Sequence, residues 1–276
     1  MSRISRRKLA VVLGLLVIVA APSTLLANHS WGGYHWARTS DPFTLKLGNN
    51  VSSAWLNEQY YFPNGFLGKV SYDWSQSTVL DTTVVSGGTT NQLRRCRPTS
   101  GRVEVCATTY GYNGWLGEAT IWVSGGTHIT QATVKLNDSW FNTVTYNTPG
   151  WRSLVACQEI GHTFGLDHQD ETFDNANLGT CMDYTDYPVN NPDGSPDNTS
   201  PNQGDYDELL CIYDPASNGS ILSTSTRTCT GTGHVDDTTT VGQTTNMPNA
   251  MTDLDLEGPG QRGVSLGNPA TTAVCL

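Results

Sequence analysis

Between positions 157 and 168 the chain reads Cys157-Gln158-Glu159-Ile160-Gly161-His162-Thr163-Phe164-Gly165-Leu166-Asp167-His168. On a helix, positions 158 and 162 lie one turn apart and project from the same face. Two ligands so placed can hold one metal ion, and Glu159 beside them reaches a water on that ion. Gly165 lets the chain turn sharply, so that His168 can swing back as a third ligand. A zinc ion held by three side chains keeps a fourth position for water, whose pKa falls to about 7. Glu159 then takes the proton as general base and delivers it to a leaving amine. This is the logic of metal-assisted peptide hydrolysis.

The stretch resembles the signature of the metzincins, zinc endopeptidases of the matrixin and astacin type: His-Glu-x-x-His-x-x-Gly-x-x-His, followed by a Met-turn. Glu159, His162, Gly165 and His168 fall on that pattern. Met182, within Cys181-Met182-Asp183-Tyr184, falls where the Met-turn lies beneath the metal. Tyr184 follows two residues later, where astacins and serralysins carry a tyrosine that binds zinc or supports the oxyanion. The resemblance implies an α+β metzincin-like fold: a twisted mixed sheet, a long metal-site helix, the Met-turn and a following helix. It implies zinc as cofactor, a protein or peptide as substrate, Glu159 and Tyr184 in catalysis, and Gln158, His162 and His168 on the metal.

One departure stands out. Gln158 occupies the place of the family's first zinc-binding histidine, and its neutral amide oxygen suits harder ions better than zinc. Three readings follow: Gln158 Oε1 completes a weaker but working zinc site; metal is bound without useful turnover; or the chain is a metal-free, protease-shaped module that binds peptides. A ligand from elsewhere (His29, His35, His128 or His234) is a further route. The first reading is preferred, because Glu159, His162, His168 and Tyr184 are all present together.

Other elements must position these residues. Phe43-Thr44-Leu45-Lys46-Leu47 alternates as a strand does, and Lys69–Trp74, Ser77–Val85, Glu118–Val123 and His128–Leu136 read the same way. Val51–Tyr61 reads as a helix. Thr148-Pro149 is a helix start, with threonine as cap and proline at the first position, and that helix is expected to run to about Phe164 before Gly165 ends it. Residues 169–206, dense in Asp, Asn, Pro and Gly, read as a long irregular loop. Asp205–Tyr213 reads as a short helix.

The chain has 276 residues and a formal net charge of −10, with 28 Gly and 13 Pro. No basic excess exists to displace phosphate counterions, so a general nucleic-acid binder is excluded. Arg3, Arg6, Arg7 and Lys8 precede an apolar run, Leu9–Ala21, of signal-peptide length. The expected organisation is a signal peptide at 1–27, a catalytic domain at 28–215 and a Ser/Thr/Gly-rich tail at 216–276. A secreted monomer follows, with no membrane association after signal cleavage. The 7 cysteines then suggest disulfides. Cys96 with Cys106 and Cys157 with Cys181 are the expected pairs, and Cys211, Cys229 and Cys275 are candidates to tether the tail. Cys96-Arg97-Pro98 only loosely matches the matrixins' propeptide switch and is read as part of its local bridge. Asp183, Asp186, Asp193, Asp197 and Asp205 form an oxygen-rich stretch, a weaker candidate for calcium.

Overall fold

Phe43, Leu45 and Leu47 alternate with Thr44 and Lys46, and this period of two builds β2 (Phe43–Asn50), with the apolar set buried and the polar pair exposed. The computed structural model describes residues 29–31, 33–38, 40–56, 62–89, 93–125 and 127–214, together with the backbone of 249–253. The expected signal peptide, His234, Cys229 and Cys275 lie outside the described residues. Among the described residues, seven strands share one sheet: β1 (His35–Trp36), β2, β3 (Leu80–Ser86), β4 (Arg102–Thr108), β5 (Gly117–Ser124), β6 (His128–Asn137) and β7 (Asn249–Asp253). The order is β3-β2-β4-β6-β5-β7, with β1 also paired to β6. The pairs β2/β3, β2/β4, β4/β6 and β1/β6 are parallel, whereas β5 runs antiparallel to both of its neighbours. The result is the expected α+β architecture with a mostly parallel sheet.

β4 lies between β2 and β6 and is buried almost throughout, as inner parallel strands are. It carries one acid, Glu104, which is fully buried. Burial alone would raise this carboxyl. Hydrogen bonds from Thr99, Asn50 and the Gly88 amide, with the Arg102 guanidinium, outweigh burial and hold it below the ordinary carboxylate range.

Among the described residues, four α-helices accompany the sheet: α1 (Gly65–Trp74), α2 (Asp138–Phe141), α3 (Pro149–His162) and α4 (Gln203–Tyr213). α1 packs on β3 and α3, and α3 packs also on β5 and β6. α1 corrects the strand expected at Lys69–Trp74. Val70, Tyr72 and Trp74 do alternate, but Phe66, Leu67, Val70, Ser71 and Trp74 recur with helical period and are the buried set, while Tyr72 is exposed. Of the helix expected over Val51–Tyr61, the described residues 51–56 form a 3-10 turn at Ser53–Trp55, in which only Trp55 is buried; residues 57–61 lie outside the described residues. Trp55 is fixed from two sides. Its Nε1 donates to Asp138 at 2.8 Å, and the Arg152 guanidinium of α3 lies 4.8 Å from its ring centroid.

The pairs Cys96–Cys106 and Cys157–Cys181 are disulfide-bonded, as expected. Cys211, near the end of α4, is disulfide-bonded as well. Among the described residues no helix is long and apolar enough to cross a membrane.

Candidate metal centre

α3 begins as its sequence dictates. The Thr148 side chain accepts from the Trp151 amide at 3.3 Å, and Pro149 takes the first turn, where no amide hydrogen is needed. Gln158, Glu159 and His162 therefore lie in the last turns of one helix, and all three are buried. Past the helix, Gly165 adopts φ +93°. A Cβ there would run into the Tyr34 carbonyl, so the position requires glycine on two counts.

Two short backbone ladders hold the turn that follows. On one side, the Trp31 amide donates to the Gly165 carbonyl at 2.7 Å and the Asp167 amide to the His29 carbonyl at 2.5 Å. On the other, the Gln169 amide donates to the Met182 carbonyl at 2.6 Å and the Tyr184 amide to the Asp170 carbonyl at 3.0 Å. His168 is placed between these ladders, and the second brings Tyr184 beside it. The ring centroids of His162 and His168 are 4.6 Å apart and nearly perpendicular, and those of His168 and Tyr184 are 4.5 Å apart.

The histidine tautomers follow from their acceptors. His162 donates from Nδ1 to the Leu166 carbonyl at 2.9 Å, which leaves the neutral ring's lone pair on Nε2. His168 Nδ1 lies 3.2 Å from Glu171 Oε1 and 3.6 Å from Asp167 Oδ1. A carboxylate or carbonyl on one ring nitrogen is what orients a ligating histidine and raises its basicity. The buried amide nitrogen of Gln158 has no hydrogen-bond partner. Two adjacent imidazoles and a neutral amide are a donor set that could take a divalent metal ion, with the amide as the weak corner.

Sequence reasoning missed two acids here. Asp167, His168 and Glu171 bring one donor atom each within 4.8 Å of one another, a group that could hold a metal ion. Only His168 belongs to the set read from sequence. The signal was an acid just before and another three residues after His168. Both approach its Nδ1, so they serve it as readily by orienting the ring as by sharing an ion. Gly117 was also missed. It opens β5 and sits so close to α3 that a Cβ on it would collide with the Glu159 carboxylate.

Among the described residues, the alternative histidines His29, His35 and His128 contact other groups. His29 Nε2 lies 3.3 Å from Asp205 Oδ1 on α4, and the His35 and His128 rings meet edge to face with centroids 4.8 Å apart where β1 meets β6.

The calcium candidates do not converge. Asp205 accepts from Thr180, Gln169 and its own helix cap; Asp183 accepts from the Leu178 amide and Asn198; Asp193 accepts from the Ser195 amide and Asp197 from the Asn190 amide. None of them belongs to the one metal-competent group among the described residues. These carboxylates order the segment between Gln169 and Asp205, where the short ladder of residues 169–170 with 182–184 satisfies only a few backbone groups.

Met182 is fully buried beneath α3, and Cys181 beside it is bridged to Cys157 on the helix. No protein-family model matches the chain, and no curated protein matches it in sequence.

Proposed function

We propose that the chain is a secreted zinc-dependent endopeptidase of the metzincin type. The observation that carries this reading is the His162–His168 pair: each Nδ1 is turned to an oxygen acceptor, the rings stand 4.6 Å apart, and His162 lies one helical turn beyond Gln158. His162 and His168 would hold zinc through Nε2, and Gln158 through its amide oxygen. When bound, zinc polarises the scissile carbonyl and acidifies water. Glu159, buried beside Gly117, takes the proton of the attacking water and passes it to the leaving amine. The Tyr184 hydroxyl, carried next to His168, donates to the carbonyl oxygen as it gains charge. The side of β5 away from β6, which carries β7 in this structure, would align an extended substrate by backbone pairing. Two disulfides and the apolar N-terminal run support export.

One observation favours a second reading, a peptide-binding module without turnover: the buried Gln158 amide brings no charge and no nitrogen lone pair to the metal. Zinc stoichiometry of the purified full chain, dialysed against trace zinc, separates the two. Close to one zinc per chain is expected, lost in His162→Ala. Glu159→Ala should keep zinc and lose peptide hydrolysis by at least ~100-fold. Gln158→His should tighten zinc by at least ~10-fold. Zinc-free wild-type protein whose Gln158→His variant also binds none would end the zinc reading.

A further inference from the structure

β5 has the makings of an open edge. Its sequence, Gly117-Glu118-Ala119-Thr120-Ile121-Trp122-Val123-Ser124, contains no proline, no lysine and no inward charge, the usual devices that blunt an edge strand. One side of it is paired to β6. Unpaired, the other side would present a row of amides and carbonyls to any extended segment. That side carries β7, a segment of this chain's own tail. Ala119 pairs with Asp253, Ile121 with Met251 and Val123 with Asn249, all antiparallel. The Asp253 end of β7 thus lies two residues along β5 from Gly117, the residue packed against Glu159.

We propose that residues 249–253 are a built-in occupant of the peptide edge and restrain the site by holding the place an extended substrate would take. This deepens the endopeptidase reading and rests on it for the word substrate; the docking itself does not. Residues 215–248 separate β7 from α4, and even the part that follows Cys229 reaches on the order of 60 Å when extended, so a disulfide from Cys211 to that cysteine would still leave a tether long enough for docking and release. A tethered strand competes at an effective concentration near ~1 mM, so a free peptide of equal intrinsic affinity binds poorly until the tail is displaced or removed.

Proline carries no amide hydrogen, and adjacent strand positions alternate between facing the ladder and facing away. Met251→Pro and Thr252→Pro in the full chain therefore test both parities, and one of them must break a rung. Two readouts are taken. The first is hydrogen exchange at residues 119–123, with residues 132–136 of β6 as internal control. The second is anisotropy of a labelled Asn-Ala-Met-Thr-Asp peptide, the sequence of 249–253. At least one variant should exchange about tenfold faster at 119–123 and bind the peptide about tenfold more tightly than wild type, with β6 unchanged. Identical exchange and binding in wild type and both variants would overturn the proposal. Faster exchange without tighter binding would overturn the restraint. A variant that takes the peptide yet hydrolyses none would sink the endopeptidase reading while supporting the docked tail.

Discussion

The two histidines are readied by different acceptors, a backbone carbonyl for His162 and carboxylates for His168. The spacing of Glu159, His162 and His168 was legible because a helix and one glycine turn convert sequence distance into direction. The acceptors were only partly so. Leu166 is four residues from His162, but that its carbonyl turns inward depends on the ladder with residues 29–31. The close approaches were not legible at all. A Cβ at Gly161 would stand 2.7 Å from Met182 Sδ and 2.7 Å from Trp74 Cζ2. Alanine gains about 1 kcal/mol over glycine in a helix, but overpacking of this kind costs roughly 1–3 kcal/mol. Gly161→Ala should therefore lower stability in urea by about 1 kcal/mol and disturb zinc retention; a variant more stable than wild type would show that the Met182 contact is not the constraint claimed.

Among the elements, α3 was written most plainly, since Thr148, Pro149 and Gly165 punctuate both of its ends. Replacing Thr148 with alanine strands the Trp151 amide and should cost about 1 kcal/mol, while serine at the same position should recover most of it. Equal unfolding midpoints for the alanine variant and wild type would mean that tertiary packing, not the cap, sets the helix start. α1 was misread because a window opening at Lys69 sees Val70, Tyr72 and Trp74 alternate; the helical period emerges only with Phe66 and Leu67. Residues 169–202 read correctly as irregular, yet their order rests on side chains reaching far along the chain. Asn198 Oδ1 accepts from the Gly179 and Thr180 amides, and Asn177 Nδ2 donates to the Tyr187 and Pro196 carbonyls.

At the scale of the whole molecule, Asp183 ties that loop to the pH dependence of folding. Burial, with smaller contributions from Asp170 and Asp205, raises its carboxyl to about 6, against hydrogen bonds from the Leu178 amide and Asn198 that favour the charged form. The native state thus holds a proton that the unfolded chain has released, so this group's contribution to stability falls as pH rises from about 4 to about 6. Asp183→Asn removes the titration. Measured in chelator, the variant should gain on wild type by about 2 kcal/mol between pH 4 and pH 7. A wild-type-minus-variant difference flat in pH would show that the carboxyl is not raised.

The sequence by itself made legible the strands at Phe43–Leu47, Glu118–Val123 and His128–Leu136, the start and end of α3, the local Cys96–Cys106 bridge and the line of Gln158, Glu159, His162 and His168. Each of these depends on geometry repeated within a few residues, or on residue types that tolerate few alternatives. Tertiary structure alone decided that Gly117 closes on Glu159, that Asp167 and Glu171 flank His168, that Tyr184 is drawn beside it and that a tail strand lies on β5. Those contacts join residues from 1 to more than 130 positions apart, as with Ala119 and Asp253. Which of many such meetings occurs is set by how the sheet and helices bury their apolar faces together, and no local pattern encodes that.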